Sequence, residues 1–352
     1  MMVAESPKLI RVLVVDDSSF MRLIVSDILQ QDSQIIIVDT AKDGQEAYQK
    51  TLMLKPDVIV LDIVMQDYDG LYAVKKIMQE IPTPIIILSS EGNVHPEVVV
   101  EALNAGAVSF VNKPRGILQS KIREIEHLLI EKVKIAAQVP STKLIHSLKS
   151  TNNHPHTFDS RTVYEIVVVG ASTGGTGAVE HILLNLPNNF PLPILIAQHI
   201  PEKFVHSFAQ RLDKLVSLHV KVANENEYLE AGIVYIAPCH ANTEIKKNLP
   251  TEKLSITLTH EQFPQHNYPS IDCLMLSTAT VCQHKAIGIL LTGMGKDGAK
   301  GLVAMHQAGA FTIAQDEKTS IVFGMPKAAI EEGGVSQVLP LNEIAQFVVG
   351  CL

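Results

Sequence analysis

Three side chains far apart in this sequence carry the ingredients of acyl transfer. Ser172, a hydroxyl, lies in Gly170-Ala171-Ser172-Thr173-Gly174-Gly175. This fits the spacing G-x-S-x-G, whose small neighbours let a serine stand clear of a sheet edge. His199, an imidazole, lies in Gln198-His199-Ile200-Pro201. Asp297, a carboxylate, lies in Thr292-Gly293-Met294-Gly295-Lys296-Asp297-Gly298. A histidine that takes the serine proton, oriented by a carboxylate, turns the hydroxyl into a nucleophile. Glycines around Met294 let backbone N–H groups approach a developing oxyanion. Taken singly, each residue has a plainer reading: a nucleotide loop over 170–177, a structural histidine at 199, and an N-cap at Asp297 for a helix over 298–307. The loop lacks both the Lys-Ser/Thr of a Walker motif and the G-x-G-x-x-G spacing of a dinucleotide site.

A second set gathers in the first third of the chain. Asp16, Asp17 and Asp62 each end an apolar run, as do Ser89 and Ser90, and Lys113 follows another. Three carboxylates at one edge repel one another unless a hard cation neutralises them, and Mg²⁺, which takes oxygen ligands, suits that task. A carboxylate beside Mg²⁺ can be phosphorylated, with the lysine and a hydroxyl holding the phosphoryl oxygens. N-caps and solvated turns explain any one of these residues, but not the whole set in strand register.

The elements that must position these groups alternate. Strands are expected over 9–15, 35–38, 58–61, 85–88 and 108–111, with helices over 18–29, 44–54, 71–79, 97–104 and 117–131. Such alternation predicts a parallel sheet covered on both faces, with ligands at the carboxyl ends of its strands. From 133 to 161 the periodicity gives way to Ser, Thr, Asn, His and Pro, which reads as a flexible polar linker. His154 and His156 have no other ligand nearby in sequence. Alternation resumes from 162 to 352. Ser172, His199 and Asp297 each stand just past a predicted strand, 166–169, 193–197 and 286–291. Their order, Ser then His then Asp, differs from that of α/β-hydrolases, so a doubly wound sheet of another kind is expected. Segment 254–258 is read as part of an antiparallel hairpin.

The chain has 352 residues and a net charge of −8. Without a basic run it does not suit general nucleic-acid binding, which needs clustered Lys and Arg. Its four cysteines, 239, 273, 282 and 351, form no C-x-x-C pair and read as reduced thiols. No signal peptide or membrane-spanning run is evident. A cytoplasmic protein of two domains is expected.

The first domain, 8–132, resembles a response-regulator receiver of flavodoxin-like fold. The resemblance implies that Asp62 is the phospho-acceptor and that Asp16 and Asp17 are the acidic pair. It makes the Val64 carbonyl a further metal ligand, Ser89 the switch hydroxyl and Lys113 the phosphate-pairing lysine. Gln66 stands where that family usually has proline. The second domain, 162–352, resembles the chemotaxis protein-glutamate methylesterase family, CheB. The residues that carry this are 170–175, Gln198-His199-Ile200-Pro201, Tyr235-Ile236-Ala237-Pro238, Pro269-Ser270-Ile271-Asp272, 291–298, Gln315-Asp316 and Phe323-Gly324-Met325-Pro326. Tyr268, Cys239 and Lys296 depart from its usual pattern. The resemblance implies Ser172 as nucleophile, His199 as base, Asp297 as its orienting partner, and Met294 in the oxyanion region. It also implies methyl-accepting chemoreceptors as substrate, with deamidation of glutamine besides ester hydrolysis. A chemotaxis histidine kinase would be the phosphodonor. Mg²⁺ would serve the receiver, and no cofactor would serve the hydrolysis. The unphosphorylated receiver is expected to cover the esterase cleft.

Overall fold

The structure is a computed structural model that describes residues 9–66, 69–90, 96–113, 119–144, 164–248, 250–264 and 268–352. The chain divides into two compact units, Met1–His146 and Ser147–Leu352. Among the described residues no helix is long and apolar enough to cross a membrane.

The first unit is built on the apolar runs. Strands β1 (Ile10–Val15), β2 (Ile35–Ala41), β3 (Val58–Asp62), β4 (Ile85–Ser90) and β5 (Ser109–Lys113) form one sheet in the order β2-β1-β3-β4-β5. Every pairing is parallel. Residues 12–15 and 58–61 are fully buried, as expected for strands covered on both faces. Helices α1 (Ser19–Leu29), α2 (Gly44–Leu54), α3 (Gly70–Glu80), α4 (Pro96–Asn104) and α5 (Gln119–Ala136) alternate with them. Ser18, Asp43 and Asp69 cap the first three by accepting from the backbone N–H three residues on, each contributing about 1 kcal/mol.

The first unit reaches further than the sequence suggests. Helix α5 continues to Ala136, and a short helix α6 (Ser141–Leu144) follows. Val133, Ala136, Val139 and Leu144 are buried, so their spacing of three to five residues supplies an apolar face within the expected linker. His154 and His156 lie outside the described residues.

Among the described residues the second unit holds seven parallel strands and a separate hairpin. In chain order these are β6 (Ile166–Ala171), β7 (Ile194–Gln198), β8 (His219–Val222), β9 (Ile233–Ile236), β10 (Asn242–Lys247), β11 (Leu254–Thr259), β12 (Ala286–Leu290), β13 (Phe311–Gln315) and β14 (Gln337–Leu339). The large sheet runs β14-β13-β12-β6-β7-β9-β8, and β10 pairs antiparallel with β11. The sequence Asn-Thr-Glu-Ile-Lys-Lys of β10 has one large apolar residue, which hides its period-two alternation. Helices α7 (Gly175–Leu184), α8 (Glu202–Leu215), α9 (Ile271–Cys282), α10 (Ala299–Gln307), α11 (Met325–Glu331) and α12 (Leu341–Gly350) complete the unit. From β6 the strand order grows one way through β7 and the other way through β12. The chain therefore changes direction beside β6, and a crevice opens at the carboxyl ends of β6 and β12.

Candidate active site

Ser172 sits in that crevice, on a turn pinned by its own backbone. Its N–H donates to the Thr292 carbonyl at 3.0 Å, tying the turn after β6 to the loop after β12. Its carbonyl accepts from the Gly175 N–H at 2.8 Å as α7 begins. Gly174 has φ +75°, a left-handed conformation that favours glycine, and a Cβ there would stand 2.7 Å from that of Ile321. Gly293 lets the facing loop come close: its Cβ would meet that of Ser172 at 2.8 Å. Among the described residues nothing accepts from the Thr173 or Met294 N–H, so two backbone donors beside this contact are uncommitted.

His199 arrives at the end of the neighbouring strand. Its N–H donates to the Ala171 carbonyl at 2.9 Å. The buried Gln198 side chain donates through Nε2 to the carbonyls of Ser172, at 2.9 Å, and His199, at 3.2 Å. One amide thus clamps the main chains of both residues. The imidazole Nδ1 lies 3.2 Å from Ser172 Oγ, and Nε2 lies 2.8 Å from Asp297 Oδ2. An ionised carboxylate only accepts, so Nε2 carries the proton and the Nδ1 lone pair faces the hydroxyl. The ring is turned relative to chymotrypsin, where Nε2 faces the serine, but the roles it can take are the same.

Asp297 is 1% exposed. Burial alone would raise its carboxyl, but the bond to His199 and its charge, with the Asp272 and Ile271 N–H groups, hold it below the ordinary value of 3.8. It is therefore ionised at neutral pH. The plainer reading of Asp297, as N-cap of the helix that follows it, does not hold. Gly298 occupies the cap position of α10 and no side chain caps that helix. The Asp297 carboxylate instead meets the start of α9, accepting from the Ile271 N–H at 2.8 Å and the Asp272 N–H at 3.0 Å. The unsatisfied donors of a helix N-terminus favour an anion there.

Asp272, in the first turn of α9, is a second buried carboxylate. Burial pushes it up from 3.8 to about 6, offset in part by the Gly301 N–H it accepts from and reinforced by the charge of Asp297. The folded protein therefore binds this proton more tightly than the unfolded chain. The stability it contributes is fully present below pH 3.8 and is lost as pH rises through about 6. Asp272→Asn removes that dependence. Its stability relative to the parent should rise across this window by on the order of 3 kcal/mol, read as urea midpoints at both ends. A difference that stays flat with pH would refute this.

Burial pushes the Cys239 thiol up to about 12, so this neighbour of His240 is no rival nucleophile at neutral pH. The sequence reading did not anticipate what Gln198 and Ser270 hold. Both lie in motifs already noted, and Ser270 three residues before Cys273 at the start of an apolar run is itself an N-cap signal.

In the first unit, carboxylate oxygens of Asp16, Asp17 and Asp62 lie within 4.8 Å of one another. Lys113 Nζ lies 2.6 Å from both Asp16 Oδ2 and Asp62 Oδ2. Burial raises the Asp62 carboxyl; Lys113 opposes this and the Asp16 charge adds to it. One ammonium against three carboxylates leaves negative charge in excess, and an all-oxygen set of this kind fits a hard cation. The Val64 N–H donates to Asp62 Oδ1 at 3.2 Å, beside the carbonyl expected as a ligand. Ser89 is fully buried and its Oγ has no partner among the described residues. It lies on β4, one residue before Ser90, which pairs in register with Lys113.

Residues 167–348 match the family model described as CheB methylesterase, and residues 12–123 match that of the response regulator receiver domain. The chain is 39% identical over 350 residues to protein-glutamate methylesterase/protein-glutamine glutaminase 2 of Carboxydothermus hydrogenoformans, covering 97% of this chain and 98% of that one. It is also 39% identical over 343 residues to protein-glutamate methylesterase/protein-glutamine glutaminase of Thermotoga maritima, covering 97% and 98%. The crystal structure of the Thermotoga maritima CheB methylesterase catalytic domain aligns with a TM-score of 0.52 at 39% identity, over 54% of this chain and 99% of that one.

Proposed function

The chain belongs to the CheB methylesterase family, with a receiver domain ahead of its methylesterase domain, and from that premise we propose that it hydrolyses γ-methyl glutamate esters on chemoreceptor cytoplasmic helices. The observation that carries the reading is one imidazole bridging Ser172 Oγ and Asp297 Oδ2, at 3.2 and 2.8 Å, in the crevice beside β6. Ser172 attacks the ester carbonyl as His199 Nδ1 takes its proton. The Asp297 carboxylate holds the imidazole's orientation and stabilises the imidazolium. The oxyanion forms near the Met294 N–H, and the Thr173 N–H is the second uncommitted backbone donor. His199 returns the proton to the departing methanol. Water, deprotonated by the same nitrogen, then releases glutamate and frees Ser172. With a glutamine substrate the leaving group is ammonia and the acyl-enzyme is the same. This hydrolysis calls for no cofactor.

The receiver supplies the control. Asp62 accepts a phosphoryl group from a chemotaxis histidine kinase. Asp16, Asp17, Asp62 and the Val64 carbonyl would hold Mg²⁺, which when bound offsets charge on phosphoryl oxygens. Ser89 and Lys113 then hold the phosphoryl group, shifting a two-state element of the receiver. In the unphosphorylated chain the receiver restrains the esterase. Removing residues 1–140 should therefore raise basal activity several-fold. The methylesterase domain of the Thermotoga maritima relative is a crystal structure by itself, so a separate catalytic domain is a reasonable object to test. A truncated esterase no faster than the unphosphorylated full chain would contradict the restraint.

The deciding experiment is methanol release from methylated receptor membranes, with and without a small phosphodonor and Mg²⁺. Release that rises with the phosphodonor is expected. No methanol under either condition overturns the reading.

A further inference from the structure

Among the described residues, five donors converge on the Asp297 carboxylate. Oδ2 takes His199 Nε2 and the Ile271 N–H; Oδ1 takes the Asp272 N–H, the Gly298 N–H and Ser270 Oγ, the last at 3.2 Å. Three of the five are backbone groups fixed by the fold. Apart from the histidine, Ser270 alone reaches the carboxylate with a side chain.

The direction of the Ser270 hydroxyl is determined. Its oxygen accepts from the Cys273 N–H at 3.2 Å, as the N-cap of α9. Its proton is left to donate, and Asp297 Oδ1 accepts it. The residue is itself held. The Ser270 N–H donates to Asn242 Oδ1 at 2.6 Å, and Asn242 Nδ2 donates to the Glu261 carbonyl at 2.7 Å. Ser270 and Asn242 are both fully buried. The rigid attachment thus runs from β10 through Asn242 and Ser270 to the carboxylate.

We propose that Ser270 is a positioning residue of the esterase, whose hydroxyl locks the Asp297 carboxylate so that Oδ2, and not a rotated carboxylate, meets His199 Nε2. This rests on the reading that Ser172, His199 and Asp297 perform the hydrolysis. A carboxylate held on one oxygen can pivot about its Cβ–Cγ bond, and donors on Oδ1 oppose that motion. The hydroxyl also draws negative charge toward Oδ1. Without it more charge faces Nε2, which favours the imidazolium.

The test compares Ser270→Ala and Ser270→Gly with the parent, in the full chain, by methanol release from methylated receptor membranes across pH. Glycine is nearly as good an N-cap as serine, whereas alanine is not, so the pair separates capping from positioning. Both variants should lose about tenfold in kcat, as expected for a bond to a charged group, with KM unchanged. In both, the acidic limb of kcat/KM should move up by about half a pH unit. Only Ser270→Ala should lower the melting temperature appreciably.

The titratable groups facing Asp297 are His199, after β7, and Asp272 and Cys273, from α9. Because Asp272 sits at about 6, the pH profiles are repeated with Asp272→Asn as background, where the shift should persist. A kcat deficit confined to Ser270→Ala and following its melting temperature would make the serine a cap and nothing more. Unaltered kinetics in a folded Ser270→Gly would overturn the proposal even if Ser270→Ala failed to fold. An inactive parent chain is a different result: it refutes the esterase reading itself.

Discussion

Ser172→Ala should lower methanol release from methylated receptors by about 10⁴-fold or more, with binding of the receptor unchanged. The magnitude follows from what the substitution removes. Without Oγ there is no acyl-enzyme, and His199 Nδ1, 3.2 Å from that oxygen, loses the group whose proton it takes. What remains is the backbone: the Thr173 and Met294 N–H groups can still polarise a carbonyl, and water can attack slowly. The fold should be indifferent to the change. Ser172 is partly exposed, and the bonds that pin its turn, to the Thr292 carbonyl and from the Gly175 N–H, are made by main-chain atoms that alanine keeps. An intact melting temperature beside abolished release is the expected pattern. Release within tenfold of the parent would mean that a different group attacks the ester. Cys239, its thiol pushed up to about 12, is a poor substitute.

Asp62→Asn should abolish the response to phosphodonor altogether, leaving the basal rate of the unphosphorylated chain. An amide cannot take a phosphoryl group to form the acyl phosphate, and mass spectrometry of the intact chain should show no phosphoryl adduct. Basal stability should hold or improve. Burial raises the Asp62 carboxyl, so its charge is costly where it stands, although Lys113 compensates part of that cost. The asparagine carbonyl can still accept from the Val64 N–H, and Lys113 keeps Asp16 at 2.6 Å. An Asp62→Asn chain that phosphodonor still accelerates would move the acceptor elsewhere, and Asp16 and Asp17 would be the residues to substitute next.

Several features of this protein were fixed by local pattern. The β-branched run 166–169, the glycines at 170, 174 and 175 and the apolar helix after them make strand, turn and helix around Ser172 readable from local pattern. The same holds for the apolar runs that lead to Asp16, Asp62 and Ser89, because strands buried on both faces need unbroken hydrophobic sequence. That both sets of polar groups stand at carboxyl strand ends was therefore legible, since those ends are where the runs stop.

Tertiary structure decided what each polar group touches. Asp297 precedes a helix, and local rules make it that helix's cap. In the folded chain its carboxylate serves α9 instead, because β12 and the loop after it deliver Asp297 against residues 270–272, some 25 positions earlier. The extension of α5 to Ala136 and the strand Asn242–Lys247 were hidden for a related reason. In the first, lysines interrupt the apolar residues, and in the second a single isoleucine stands among polar ones; such residues become an interior face only when another element packs over them. A hydrogen bond between residues distant in sequence leaves no periodic trace along the chain; it exists only once loop closure has brought its partners together.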